Sequence, residues 1–354
     1  MNTVFLIMSI AKISSDNFRK IREKFDGEIE KISLNDILKT NMLTKAKQEE
    51  LANAGTELKD FLIELEKLNI EYLTYDMEKY PKKLKNIPDP PYVLYYMGNL
   101  SLLSTFMIGI IGSRKPSAYG LYAAEFFAEE LAKIHITTVS GLAMGIDGVS
   151  QKKGIASGGR CVAVLGSPLN NIYPKSNKKL FEEMIKNHLV ITEINHRQSI
   201  LPYWFSMRNR IIAALSDGLL VIEAGYKSGT LITVNYALQY GVNVFAVPGN
   251  INSSNSKGTN SLIKSGAQLT TDINDILEQY PTLKCENLPE IKKHETFSDS
   301  EIKVMELLKK ESPLYVDLIS EKSGMDIKQV SGILSILEIK DKILEIGNGL
   351  YSYK

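Results

Sequence analysis

Phe106-Met-Ile-Gly-Ile-Ile-Gly-Ser-Arg114 and Thr137-Thr-Val-Ser-Gly-Leu-Ala-Met-Gly-Ile-Asp147 flank a helix-length amphipathic stretch, Tyr119 to Lys133. Two short β-branched runs joined by a helix and each followed by a glycine turn predict a β-α-β unit. The pattern repeats downstream. Strands are predicted at Phe106–Ile111, Thr137–Val139, Arg160–Leu165, Leu189–Ile191, Leu219–Ile222, Val242–Val247 and Gln268–Thr270. Helices are predicted near Tyr119–Lys133, Ile146–Ala156, Lys178–Lys186, Ser206–Leu215, Leu231–Tyr240 and Thr259–Lys264. Runs such as Leu219-Leu-Val-Ile222 are apolar without alternation, as expected of strands covered by helices on both faces. The fold class is therefore α/β, a doubly wound and mostly parallel sheet.

On the N-terminal side, residues 1–75 carry short Lys- and Glu-rich helical patterns, with Ser33 and Asp36 spaced as a capping box, and predict a small helical domain. Tyr80 to Asn99 holds four prolines and is read as an extended lead-in that connects rather than builds core. The α/β domain is set at 76–280, with 76–105 as that lead-in, and a polar linker at 281–297. Residues 298–354 predict a winged helix. Ile302, Met305 and Leu308 mark its first helix, Leu318 and Ile319 a short second, and Val330, Ile333, Leu334 and Leu337 a third. Gly347-Asn-Gly349 then turns a hairpin.

The 354 residues balance 42 Lys+Arg against 41 Asp+Glu, so any affinity for a polyanion must come from a local patch. One is visible: residues 108–250 hold 14 Lys+Arg and 9 Asp+Glu, whereas 281–354 hold 11 and 13. The winged helix thus lacks a basic footprint for duplex DNA, which favours protein contact there. Cys161 and Cys285 stand far apart in unlike contexts, suiting neither a disulfide nor zinc, and point to a reducing, cytoplasmic setting. The apolar run at Thr3–Ile10 has no basic residue before it and no cleavage site after it, and no stretch is long enough to span a bilayer. No membrane insertion is expected.

In doubly wound sheets the ligand lies beyond the carboxyl ends of the strands. The residues there form a set: Gly112-Ser113-Arg114, Ser140-Gly141, Lys175 after Tyr173-Pro174, Arg208-Asn209-Arg210, and Gly229-Thr230. Glycines permit close backbone approach, hydroxyls and helix N-termini favour an anion, and the cations supply charge. Tyr203-Trp-Phe205 places aromatics beside the arginines, either to stack on unpaired bases or to pack the core.

Catalytic machinery is not evident. The four histidines lack metal-ligand spacing, and neither the dinucleotide fingerprint nor a P-loop is present. Asp147, Glu193 and Glu223 are read first as caps or arginine partners and only second as general bases. No cofactor, metal or catalytic residue is assigned.

At these positions the sequence resembles the DNA-processing protein A family, DprA or Smf. The matching segments are Tyr80-Pro81 through Asp89-Pro-Pro91 and Gly98-Asn99, Gly112-Ser-Arg114, Ser140 to Asp147, and Ala163-Val-Leu-Gly166 with Tyr173-Pro174. They continue through Phe205 with Arg208 to Ala213, Ser228 to Thr233, and Val244 to Gly249 with Lys257-Gly-Thr-Asn260. The resemblance implies an extended Rossmann-like domain between a sterile-alpha-motif-like domain and a winged helix. It implies a non-enzymatic protein that binds and protects single-stranded DNA with little sequence preference, dimerises through the Rossmann-like domain and loads the RecA recombinase during natural transformation. Carried across, its DNA pocket falls on Gly112-Ser-Arg114, Lys175 and Arg208-Asn-Arg210. Gln151 stands where the family usually has His, Gly148 where it has Ala, and Ile194 to Tyr203 lacks the usual glycines.

Two other readings are open. Nucleotide-cleaving hydrolases of the lysine-decarboxylase-like group share the broad fold, but Thr233 stands where their catalytic Glu is expected. A protein–protein adaptor, with the winged helix as its contact, is the other.

Overall fold

The computed structural model describes residues 3–25, 32–40, 42–281, 283, 297–339, 342–347 and 349–353. The chain divides into two units, Met1–Asn287 and Leu288–Lys354. Most of the expected linker at 281–297 lies outside the described residues, as does Asn348 of the hairpin turn.

The larger unit begins with four helices, α1 (Val4–Ile10), α2 (Ser15–Lys24), α3 (Leu34–Lys39) and α4 (Lys45–Lys67). Strand β1 (Glu71–Thr74), the short α5 (Lys82–Lys85) and β2 (Val93–Gly98) follow. Then come β3 (Met107–Ile111), α6 (Ala118–Lys133), β4 (Thr137–Ser140), α7 (Ile146–Ala156), β5 (Cys161–Val164), α8 (Lys178–Asn187) and β6 (Leu189–Thr192). The unit ends with α9 (Pro202–Leu215), β7 (Gly218–Val221), α10 (Thr230–Gln239), β8 (Asn243–Ala246), α11 (Lys257–Lys264), β9 (Gln268–Leu269) and α12 (Ile273–Leu277). One nine-stranded sheet runs in the order β1-β2-β6-β5-β4-β3-β7-β8-β9. The pairs from β6 through β9 are parallel. Only β1–β2 and β2–β6 are antiparallel. Every residue of β3, β4, β5, β6 and β7 is buried, as expected of strands covered on both faces; β3, β5, β6 and β7 are mostly apolar, whereas β4 is Thr-Thr-Val-Ser.

The lead-in reading is corrected at its end. Its prolines at 81, 88, 90 and 91 stop before Val93, so nothing prevents β2 from joining the ladder. Val93, Leu94, Tyr95 and Tyr96 are all buried, and the segment is core. The first helices share that core. Ser33 and Asp36 close the expected capping box, and the apolar face of α1 is fully covered. The Tyr95 hydroxyl donates to Ser9 Oγ at 2.7 Å, Tyr92 to the Ile13 carbonyl at 2.6 Å, and Asn195 Nδ2 to the Ser9 carbonyl at 2.8 Å. These tie the N-terminal helices to β2 and to the loop before α9.

The second unit packs α13 (Asp299–Glu311), α14 (Val316–Ser323) and α15 (Ile327–Ile339) with β10 (Leu314–Tyr315), β11 (Ile343–Gly347) and β12 (Leu350–Tyr353). Its sheet order, β10-β12-β11, is that of a winged helix. The core uses Val304 and Leu308 of α13, Ile319, Val330, Leu334, Leu337 and Ile343. The expected stripe is thus rotated: Ile302 is 41% exposed and Leu318 39%. Val304 and Leu308, four apart, make the buried row instead.

Candidate functional site

Strand order reverses about β3, which has β4 on one side and β7 on the other. Crevices form at such switch points beyond the carboxyl ends of the strands. Here lies a cleft of about 720 Å³. Its wall carries Gly112 and Arg114 from the turn after β3, Asp147 from α7, and Gly229 and Thr230 at the start of α10. Helix α9 forms the remaining side.

That helix starts at Pro202, four residues earlier than predicted, with proline in its first turn, where the missing N–H costs nothing. The earlier start draws Phe205 into the helix. Phe205, Arg208, Asn209 and Ile212 then share one face by the i, i+3, i+4, i+7 rule, and all four line the cleft. Tyr203, Met207 and Arg210 fall on the other side. The aromatic cluster is therefore split: Phe205 faces the cleft, its ring 5.3 Å from that of Tyr173, while Tyr203 and Trp204 line a second hollow against the N-terminal helices.

Arg114 is exposed, its guanidinium 5.9 Å over the Phe205 ring. Arg208 is 4% exposed and donates from Nη1 to the Gly141 carbonyl at 2.6 Å and to the Val164 carbonyl. A Cβ on Gly141 would lie 2.3 Å from Arg208 Nη1, and one on Gly166 would meet Phe205 Cδ1 at 2.8 Å. These glycines thus admit side chains of α9. Burial pushes the Arg208 guanidinium down to about 10, and the charge of Asp147 offsets only part of that. Burial likewise raises the Asp147 carboxyl, against the pull of Arg208 and of the Gly141 N–H, which donates to Oδ2 at 3.1 Å. Arg208 Nε donates to Asn209 Oδ1 at 3.3 Å, so the oxygens that accept from this buried cation are neutral, and the open cleft lies beside it.

Arg210 is its opposite. It has no exposed surface and is not brought to the cleft. Its fork meets both oxygens of Glu193 at 2.9 and 2.6 Å, and Nε reaches Asp89 Oδ2 at 2.9 Å. Met207 O and Ser15 Oγ accept the remaining donors. Burial works against the charge, but Glu193 and Asp89 outweigh it and hold the pKa above the ordinary arginine value.

The other expected residues divide similarly. Ser140 is fully buried and donates to the Ile110 carbonyl at 2.6 Å, bracing the sheet. Ser113 Oγ accepts the Lys115 N–H and its carbonyl accepts the Ile146 N–H, shaping the turn between Gly112 and Arg114. Gly141 adjoins the cleft through a smaller hollow shared with Arg208, its amide already taken by Asp147. Lys175 is exposed just after Tyr173-Pro174, and the lining includes Tyr173 but not Lys175. Among the acids, Glu193 holds Arg210, and Glu223 accepts from the Ser117 N–H and hydroxyl. Thr233 lines the cleft. Gln151, fully buried, accepts from the Leu142 N–H and donates to the Val162 carbonyl. Among the described residues no three His, Cys, Asp or Glu side chains gather to hold a metal, and no helix is long and apolar enough to cross a membrane.

Tyr173, Asp147 and Ser228 also line the cleft; each stands in a strand-end turn marked from the sequence, though none of the three was assigned to binding.

Residues 71–281 match the family of DNA recombination-mediator protein A, and residues 293–349 match the DprA winged helix domain. The chain belongs to the DprA family. Protein Smf of Escherichia coli is 33% identical over 97% of this chain and 93% of its own length. DNA processing protein DprA of Streptococcus pneumoniae is 40% identical over 57% of this chain and 71% of its own. The crystal structure of DprA from S. pneumoniae superposes with a TM-score of 0.71 at 31% identity, covering 79% of this chain and 99% of that one. DprA from Helicobacter pylori, whose structure concerns its single-stranded DNA binding mode, gives 0.55 at 32% identity over 60% and 96%. The DprA assignment thus covers both units and accounts for the extended Rossmann-like sheet and the winged helix together.

Proposed function

We propose that this chain binds single-stranded DNA in the cleft beside β3, with phosphates held by Arg114, Lys175 and Arg208 and with Phe205 and Tyr173 against the bases. The observation that carries this is a buried Arg208 whose hydrogen bonds go to neutral oxygens, beside an open cleft whose rim holds an exposed arginine and an aromatic pair. An anionic strand restores what burial takes from Arg208. Rings stack on any base, so sequence preference is weak. The single-stranded DNA binding of the H. pylori relative supports the same reading. Arg210, committed to Glu193 and Asp89, is a support for the helix rather than a contact.

The finer parts of the reading are a homodimer of the Rossmann-like domain and loading of RecA onto the bound strand. Leu238 of α10 and Leu269 of the edge strand β9, 60% and 46% exposed, offer apolar surface for a second copy. The engagement of Asp147, Glu193 and Glu223 in internal bonds favours binding over bond cleavage.

Fluorescence anisotropy of labelled oligothymidine at two salt concentrations tests the cleft. Affinity is expected to fall with salt, with a slope of about −0.7 per phosphate neutralised, and to be lost in Arg114→Ala with Lys175→Ala. Binding by the double variant at wild-type strength overturns the site. Sedimentation of the free protein and RecA nucleation on a strand already covered by single-strand-binding protein test the finer parts.

A further inference from the structure

Large side chains stand bare next to the cleft. Tyr122 is 66% exposed, Tyr226 70%, Ile251 83% and Tyr119 47%. Single exposed apolar residues are ordinary, whereas a contiguous group marks an interaction surface. Tyr119, Ile251 and Tyr226 stand on segments that bonds tie together, and Tyr122, its ring stacked on Phe126 at 6.3 Å, is one turn along α6 from Tyr119. The Tyr119 hydroxyl donates to the Pro248 carbonyl at 2.9 Å, joining the first turn of α6 to the loop after β8. Asn255 of that loop donates to the Lys115 carbonyl at 3.0 Å, and a Cβ on Gly225 would lie 3.6 Å from Ser254 O. Tyr226 follows Gly225 directly, and two residues later Ser228, Gly229 and Thr230 line the cleft.

The charge on this ledge suits a polyanion. Lys115 and Lys227 are exposed, and the loops 225–229 and 248–255 contain no acid. Glu223 lies beneath them, 1% exposed and bonded to Ser117. Glu125 is the nearest exposed acid in sequence, one turn further along α6.

We infer that the strand held in the cleft continues over a ledge of Tyr226, Tyr119, Tyr122 and Ile251 flanked by Lys115 and Lys227. The ledge is a stacking surface for further unpaired bases, and it rests on the single-stranded DNA reading of the cleft.

The test compares a short oligothymidine of about 4 nucleotides, sized for the cleft alone, with one of about 16. Tyr122→Ala with Tyr226→Ala is expected to weaken the long strand by about tenfold and to leave the short one within about twofold. Tyr122→Phe with Tyr226→Phe keeps the rings and should bind the long strand like wild type. Lys115→Ala with Lys227→Ala should flatten the salt slope for the long strand by about 0.7 per lysine, and not for the short one. Wild-type affinity of the Tyr→Ala pair for the long strand overturns the ledge and leaves the cleft standing. Equal weakening of both lengths also overturns it, by placing the rings within the cleft. If wild type binds neither length, the cleft reading falls and takes the ledge with it.

Discussion

Arg208 and Arg210 are two residues apart on α9, yet the regions around them are built on opposite terms. Around Arg208 the hydrogen-bond partners are three neutral oxygens, the Gly141 and Val164 carbonyls and Asn209 Oδ1, with a nearby carboxyl that burial itself disfavours. Around Arg210 two carboxylates, two carbonyls and a hydroxyl close every direction, and the guanidinium cements α9 to Asp89 and to the N-terminal helix α2 through Ser15. Both side chains are buried and cationic. What separates the arginine proposed to bind from the structural one is how completely the protein itself neutralises it.

The largest effect should come from the structural region. Arg210→Ala leaves the half-buried Glu193 without its partner and empties a fully buried site, and is expected to cost about 3 kcal/mol, read as a fall in the urea midpoint. The fraction that still folds should bind single-stranded DNA within about twofold of wild type. A loss of DNA affinity at unchanged stability would erase the distinction between the two faces.

Arg208→Ala comes next. Its two carbonyl partners lose their donor, at about 1–3 kcal/mol for each buried unsatisfied group, and DNA binding falls with them. Arg208→Lys sharpens the point: it keeps the charge but not the fork, so it should bind DNA better than the alanine variant while still losing stability.

Arg114→Ala should act on binding alone. Its guanidinium is exposed over Phe205, so stability is expected to stay within about 0.5 kcal/mol, while affinity for oligothymidine drops by about tenfold. A matching loss of stability would mean that the cleft rim, like the Arg210 region, is built for support.

The smallest effect concerns the far side of the loop before α9. Arg197 forks onto Glu64 at 2.7 and 2.9 Å and His196 meets Glu64 at 2.6 Å, holding that loop to α4. The bonds from Arg197 and His196 pull the Glu64 carboxyl down to about 2 from 4.5. A depressed carboxylate stabilises the fold above its unfolded pKa, and that stability is lost as pH falls from about 4.5 towards 2. Wild type should therefore outlast Glu64→Gln in urea at pH 6, and the two midpoints should converge below pH 4. A constant gap across that range would show that Glu64 acts by packing rather than by charge.

Much of this was legible in the chain. Short β-branched and apolar runs located the parallel strands, because burial on both faces leaves the central strands no alternation. The glycine, serine and cation turns located the edge that carries the cleft because a switch point is a property of connectivity. The antiparallel end of the sheet was hidden, since the prolines before Val93 mask a six-residue strand whose burial depends on α1 and β6. The winged-helix register slipped because Ile302 and Val304 are both apolar and only packing selects between them.

The sequence by itself determined the order of elements from β3 onward, the sheet's parallel core and the edge at which the strand-end turns gather, because periodicity and turn chemistry are local. Only the tertiary structure decided which residues face that edge. At about 100° per residue, positions two apart on α9 point roughly 200° apart, so Arg208 reaches the cleft and Arg210 the interior. Which of those faces meets solvent and which meets Glu193 and Asp89 is settled by what the rest of the chain packs against the helix.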